Sequence, residues 1–218
     1  MKRNIAGNNF SYFWFLLLGF FIIAVSGCSS ETPSEPEIPS ASITFQQGSN
    51  GYNGTSDAFV TSVDSSANHG SDHYLWVDIT ESAEFYLACL KFDLSYLLPG
   101  TEILSAYLTL YIAEIDGPFD ASFWRFGGDW DENTITFSNM SGDNPVLFLE
   151  RSIDTTETSI EIQLPAQMVQ EWVNNPDINH GIVISEDSSG SANYVKFYSS
   201  DFTTGSFNPK LRITYREE

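Results

Sequence analysis

Basic residues and cysteine are both scarce in this chain of 218 residues. Nine Lys and Arg stand against 29 Asp and Glu, a formal charge of −20 at pH 7. Such an acidic surface repels phosphates, which argues against a nucleic-acid partner. Of the two cysteines, Cys28 has the separate role argued below, so no intramolecular disulfide is expected. Cys89 lies in the apolar run FYLACLKF, which predicts a buried, unreactive thiol.

Motifs for nucleophilic, phosphate-dependent or metal-dependent catalysis are missing as well. The sequence contains no Gly-x-Ser-x-Gly elbow, phosphate loop, His-x-His or His-Glu-x-x-His spacing. Two of the three histidines are the middle residues of Asn-His-Gly segments, at 68–70 and 179–181. With 29 acidic residues, no particular carboxylate pair indicates a glycosidase. The sequence therefore favours binding over catalysis.

The N-terminal residues have the pattern of a secretory signal. Lys2 and Arg3 precede the apolar run YFWFLLLGFFIIAV, and small residues follow it up to Cys28. The ending VSGC resembles the lipobox of bacterial lipoproteins, which implies cleavage after residue 27 and lipidation of Cys28. Residues 28–41, rich in Pro, Ser and Glu, are expected to form a flexible linker. The alternative is an uncleaved anchor helix.

Short strands are predicted throughout residues 42–218, between clusters of Gly, Asn, Asp and Ser. The run SAYLTLYI alternates with a period of two, and only Ala166–Asn174 has helical spacing. We therefore expect an all-β domain, a two-sheet antiparallel β-sandwich of the jelly-roll type with one short helix. The predicted strands are Ile43–Gln46, Ala58–Val63, Tyr74–Ile79, Glu84–Leu94, Ile103–Ala113, Ser122–Gly127, Leu147–Glu150, Ser159–Leu164, Gly181–Ser185, Val195–Ser199 and Lys210–Tyr215.

Five segments resemble, in order, those of the DNRLRE domain family, also classed as carbohydrate-binding module family 96. They are Asp57–Val77, Leu90–Ile112, Trp124–Asn139, Ile160–Ser185 and Asn208–Tyr215. The resemblance implies a β-sandwich that binds polysaccharide without cutting it. Because uronic acid polymers such as alginate are the best-known ligands of that family, the resemblance suggests a ligand of this kind.

Sugar binding needs flat aromatic faces beside polar side chains. Trp124 with the adjacent Arg125, and Trp76 with Tyr74, are the candidates for carbohydrate binding, since each lies in a predicted strand. Arg125 could clamp a carboxylate or form a structural salt bridge, and the sequence leaves both open. Trp172 and Trp130 are expected to serve packing.

Calcium is the one cofactor that the sequence suggests, as a structural ion held by loop oxygens. Asp57 and Asp64 are the candidate ligands, although solvated surface carboxylates are the simpler interpretation. After removal of the signal, seven basic residues remain against 29 acidic ones, a formal charge of −22. The negative field of the protein would repel a uronate polymer unless Ca²⁺ bridged the carboxylates of the two molecules, whereas a neutral glycan would not be repelled.

The expected function is non-catalytic capture of polysaccharide at the bacterial cell surface, with a lipid on Cys28 as the membrane attachment, most simply to the outer membrane. Two alternatives stay open. A structural or adhesive module would hold partner proteins of a surface assembly and would carry an exposed apolar patch. A small polysaccharide lyase would gather Tyr, His and Arg in one cleft.

Overall fold

The computed structural model describes residues 39–140, 145–187 and 193–216. The predicted signal peptide, Cys28 and the predicted linker before residue 39 lie outside the described residues. Within the described ranges, no helix combines the length and the apolar character needed to cross a bilayer. The first strand begins at Ala41, one residue before the predicted start of the domain.

All eleven predicted strands are confirmed, and so is the predicted helix, α1, at Ala166–Asn174. Two short 3-10 turns, Pro176–Ile178 and Gly205–Phe207, complete the regular structure of the described residues. The strands are β1 Ala41–Gln46, β2 Thr55–Thr61, β3 Tyr74–Ile79, β4 Phe85–Phe92, β5 Glu102–Ile115, β6 Phe119–Arg125, β7 Val146–Ile153, β8 Ser159–Leu164, β9 Ile182–Glu186, β10 Val195–Tyr198 and β11 Lys210–Arg216.

The strands form one continuous curled sheet, and the prediction of two separate sheets is wrong in this respect. Nine strands follow in the order β1-β11-β5-β10-β3-β4-β9-β6-β7, while β2 pairs with β4 and β8 with β5. The sheet stays continuous because β10 pairs with both β5 and β3, and β3 also pairs with β4. It curls so far that Leu90 of β4 and Leu108 of β5 line the same small internal cavity.

The main hydrophobic core fills the inside of this curl. In β8 the alternate residues Ile160, Ile162 and Leu164 are buried, as expected for a strand with one solvent-facing side. Helix α1 packs on the core with its own apolar stripe, which includes Trp172. The packing role predicted for Trp172 is therefore confirmed. We call the side of the sheet facing this core the inner face and the opposite side the outer face.

A second, smaller core covers part of the outer face. The segment after β6, residues 126–140, folds back over β2, β4 and β9 and places Trp130 against them. The Trp130 indole donates a hydrogen bond to the carbonyl oxygen of His180 at 2.8 Å, which supports the predicted packing role. The buried members of this second core are Ala58, Val60, Cys89, Phe126, Trp130, Ile135 and Val183.

The first Asn-His-Gly segment fastens that covering segment to the sheet. The amide of Asn68 donates to the carbonyl oxygens of Glu132 and Ile135, both at 2.8 Å. Two residues later the backbone of Gly70 passes so close that a Cβ would lie 1.9 Å from the Glu132 carbonyl oxygen. Only glycine permits this approach, which explains the Asn-x-Gly pattern.

The second Asn-His-Gly segment works in the same way on β4. The amide of Asn179 donates to the carbonyl oxygen of Phe92 at 2.8 Å. Gly181 has a φ of +75°, and a Cβ there would lie 2.1 Å from the Leu90 carbonyl oxygen. Both the left-handed backbone and the contact require glycine at this position.

Candidate functional site

Strands β3 and β10 present aromatic side chains on the outer face. The residues of β3 that alternate with Tyr74 and Trp76 are buried in the main core, so these two side chains point outward. The register pairs Tyr74 with Tyr198 and Trp76 with Lys196. Because directly paired residues share a face of a sheet, these four side chains lie side by side. Both sequence-predicted residues of β3 thus belong to one surface.

A row of rings continues from Tyr74 toward β5. Ring centroids lie 5.7 Å apart between Tyr74 and Tyr198, 4.3 Å between Tyr198 and Phe202, and 5.0 Å between Tyr198 and Phe207. Phe207 is in turn 5.7 Å from Tyr111 of β5. Tyr74 is 42% exposed and Phe207 is 39% exposed, so the row is open to solvent. We call it the outer aromatic band, defined as Tyr74, Trp76, Tyr111, Tyr198, Phe202 and Phe207.

The Trp76 end of the band carries a charged pair. Lys196 Nζ lies 4.5 Å from the Trp76 ring centroid, and the Tyr86 ring stacks on Trp76 at 4.5 Å. Lys196 Nζ also donates to Glu114 Oε2 at 2.8 Å, and the Tyr194 hydroxyl donates to Glu114 Oε1 at 2.5 Å. These hydrogen bonds lower the pKa of Glu114 and raise the pKa of Tyr194 to about 12. Glu114 is therefore ionised at neutral pH and holds the ammonium group.

An open cleft of about 510 Å³ lies over Tyr74 and Trp76. Its rim includes the carboxylate of Asp72 and the imidazole of His73 next to Lys196. The exposed Tyr74 ring can stack on the C–H face of a sugar ring, whereas the Trp76 ring is already contacted by Tyr86 and Lys196. The polar side chains of the rim supply hydrogen-bond donors and acceptors for hydroxyl groups. The arrangement is suited to holding part of a longer sugar chain, because the cleft is open rather than enclosed.

Trp124 and Arg125 do not belong to this cleft, nor do they form a joint clamp. Consecutive residues of a strand point to opposite faces. Trp124 packs on the second core, and its indole donates to Ser185 Oγ at 2.9 Å. Arg125 forms an ion pair with Glu171 of α1 at 2.6 Å, which is the structural salt bridge that the sequence left open. The Trp124 ring lines a separate, apolar groove of about 430 Å³.

A third cleft, of about 560 Å³, is mainly polar and lies beside α1. Lys91 lines it and donates to the Trp130 carbonyl oxygen at 3.0 Å. The ammonium group is also 3.8 Å from the Asp129 carboxylate and 4.9 Å from the Trp130 ring centroid. The ammonium group thus makes one hydrogen bond within the protein, and its charge is partly balanced by Asp129.

The candidate calcium ligands lie in different surroundings. Asp57 is 1% exposed in β2, and its Oδ2 accepts a hydrogen bond from the Ser200 backbone N–H at 2.7 Å. Burial raises the pKa of Asp57 to about 8. Asp64 is exposed in the following turn, where it accepts from Ser66 Oγ. The described residues contain no group of three or more His, Cys, Asp or Glu side chains placed to hold a metal ion. Calcium binding stays a prediction.

Sequence reasoning missed most of the outer aromatic band. Phe202 and Phe207 lie after β10 in loop sequence, where no period indicates a direction. The outward direction of Tyr198 could have been predicted from the alternation of side chains along a strand. It alternates with the buried Val195 and Phe197 in the same way that Tyr74 alternates with its buried neighbours. The prediction lacked the pairing of β3 with β10, which alone brings Tyr74 and Tyr198 together.

An antiparallel β fold with an open aromatic surface is typical of carbohydrate-binding modules. The model of carbohydrate-binding module family 96 matches residues 49–215, and the chain belongs to this family. The match confirms the family that the sequence resembles. No curated protein is similar enough to count as a match. Membership of this family implies a non-catalytic carbohydrate-binding module.

Proposed function

We propose that this protein captures polysaccharide at the bacterial cell surface without cutting it, and that the sugar chain lies along the outer aromatic band. The observation that carries the proposal is the alignment of Tyr74 and Trp76 in one open cleft, continued by stacked rings across β10 toward β5. An extended row of rings suits a polymer better than a single sugar. Since an open surface buries little of each sugar unit, we expect weak binding per unit.

Attachment to the membrane through a lipid on Cys28 belongs to the same proposal. The support is the short apolar run that ends in VSGC. A polymer held by a tethered domain would remain near the cell for enzymes and transporters supplied elsewhere. Mass spectrometry of the protein extracted from membranes, with a Cys28→Ala variant alongside, tests this part. An unmodified residue 28 in the wild-type protein would contradict it.

The lyase alternative lacks the geometry that would favour it. The cleft contains His73 and Tyr74, but within the described residues no arginine lines it. The adhesive alternative has one feature in its favour, the apolar groove beside Trp124, which is separate from the band. Polysaccharide binding remains the function that the family and the exposed rings support together.

The test is retention by a panel of immobilised polysaccharides, including alginate and other uronic acid polymers beside neutral glucans, xylans and mannans. We would use the full-length chain in a detergent without a sugar head group, since such a head group would compete for the rings. Tyr74→Ala should weaken binding at least tenfold, whereas Tyr96→Ala should not. Tyr96 is a matched control because it is 64% exposed but lies outside the band.

Loss of binding in Tyr74→Ala with an unchanged melting temperature would locate the site. Equal binding by both tyrosine variants would refute the band as the site. Retention on no polysaccharide, or release of cleaved product from any of them, would refute non-catalytic capture itself.

A further inference from the structure

Most basic side chains in the described residues lie close to one of the protein's own carboxylates. Of the seven Lys and Arg in the described residues, six have a carboxylate oxygen between 2.6 and 3.8 Å away. The exception in this part of the chain is Lys210, whose Nζ is 3.4 Å from the Tyr111 hydroxyl. A polymer with a carboxylate on every sugar unit would therefore meet one uncommitted cation along the whole band.

Lys196 is the basic residue that lines the cleft, and it contacts both a carboxylate and an aromatic ring. Its ammonium group is fixed between the Glu114 carboxylate at 2.8 Å and the Trp76 ring at 4.5 Å. The Tyr194 hydroxyl holds the other oxygen of Glu114 in place. A ligand carboxylate would have to displace this internal partner, whose effective concentration is of millimolar order or higher. Displacement would also leave Glu114 facing the incoming anion.

The surroundings of the band add to this penalty. Asp72 on the cleft rim has a side chain that is 49% exposed, and Asp201 next to Phe202 is also exposed. Repulsion from these groups acts within a Debye length of about 8 Å at physiological salt. Neutral sugar hydroxyls meet no such repulsion, and the same carboxylates serve them as strong hydrogen-bond acceptors.

We infer that the polysaccharide bound along the outer aromatic band is uncharged, and that Glu114 disfavours uronic acid polymers because it keeps Lys196 in an internal ion pair. This inference rests on the proposed function, and it departs from the alginate-like ligands that the family resemblance suggests. It assigns Glu114 a role in specificity that its exposed position on β5 does not by itself reveal.

The decisive comparison uses one polymer in two forms. A uronic acid polymer is chemically reduced so that each carboxylate becomes a primary alcohol, which keeps the linkage and the length. We expect the reduced form to bind at least tenfold more tightly than its parent, with an affinity that does not change with salt concentration. Tighter binding of the parent, with or without added Ca²⁺, would overturn the inference while leaving polysaccharide capture intact. Failure of both forms and of the neutral panel would instead overturn the proposed function.

Glu114→Gln tests the mechanism directly. Release of Lys196 should raise the affinity for the uronate parent severalfold and make that binding salt-dependent. The added change Lys196→Met in the same protein should abolish the gain. If Glu114→Gln bound the uronate polymer with the same affinity as the wild type, Glu114 would not be what keeps Lys196 from binding a ligand carboxylate. That result would refute the specificity role of Glu114.

Discussion

Replacement of the glycines in the two Asn-His-Gly segments tests how the loops are fastened to the sheet. In Gly181→Ala the new Cβ meets the Leu90 carbonyl oxygen at 2.1 Å, and the φ of +75° strains any residue with a Cβ. The left-handed conformation costs about 1–2 kcal/mol for alanine, and a core overpacked by a methyl group costs about 1–3 kcal/mol. We therefore expect a loss of about 3 kcal/mol in the free energy of unfolding.

Other glycines of the same chain separate these two causes. Gly70→Ala has the contact alone, since its Cβ would lie 1.9 Å from the Glu132 carbonyl oxygen without a positive φ. Gly100→Ala has the positive φ alone, at +96°, with nothing within 4 Å. Gly205→Ala has neither, because its nearest neighbour is 3.8 Å away. This last change should be neutral, or stabilising by about 0.4–1 kcal/mol through the unfolded chain.

The assay is thermal unfolding followed by near-ultraviolet circular dichroism. For a domain of this size 1 kcal/mol shifts the melting temperature by about 2–4 °C, so Gly181→Ala should melt roughly 10 °C below the wild type. Gly70→Ala and Gly100→Ala should fall between it and Gly205→Ala. A Gly181→Ala protein no less stable than Gly100→Ala would refute the close approach of this turn to β4.

Three further predictions concern the packing of the domain outside the outer aromatic band. Burial raises the pKa of Asp57 to about 8, so between about pH 4 and pH 8 the folded protein keeps a proton that the unfolded chain has lost. The stability that this group contributes is thus greatest at low pH and falls with rising pH, by at most about 1.4 kcal/mol per pH unit. The free energy of unfolding, measured with urea at several pH values, should therefore depend less on pH in Asp57→Asn than in the wild type. An identical dependence on pH in both proteins would contradict the burial of Asp57. Cys89 is fully buried with a pKa raised to about 12, so peptide mass spectrometry should find it alkylated only after denaturation. Labelling under native conditions would show that the second core opens. Glu171→Gln should cost less than about 1 kcal/mol, since the Arg125–Glu171 pair is partly exposed, and a loss of several kcal/mol would show that this pair anchors α1.

Local pattern was sufficient for the elements of this fold. Alternation placed Ile160, Ile162 and Leu164 on one face of β8, and the structure buries all three. The same rule places Trp124 and Arg125 on opposite faces of β6, a consequence that the prediction of these two adjacent residues as binding candidates overlooked. Helical spacing placed Trp172 in the main core. These results depend only on neighbours in sequence, which is why they were accessible without the structure.

The continuous sheet and the site depend on contacts distant in sequence. β10 lies more than 75 residues after β5 and more than 110 after β3, yet it pairs with both and joins the two halves of the sheet. The pattern of polar and apolar residues in the four residues of β10 does not show that two other strands pair with it. For the same reason the rings of Tyr111, Tyr198 and Phe207 could be listed from the sequence but not placed beside Tyr74.

The unequal covering of the outer face explains why the proposed binding surface lies over β3, β10 and β5. Over β2, β4 and β9 the segment 126–140 covers much of the face, and Trp124 packs against the second core that it forms. Over β3, β10 and β5 the chain supplies no such cover in the described residues, and the rings there remain open. Burying those rings would favour folding by the ordinary hydrophobic effect, so leaving them exposed sacrifices stability. A solvent-facing row of this kind is expected where another molecule provides the missing contacts. Under the proposed function, an uncharged sugar chain would do so without displacing the pair formed by Glu114 and Lys196.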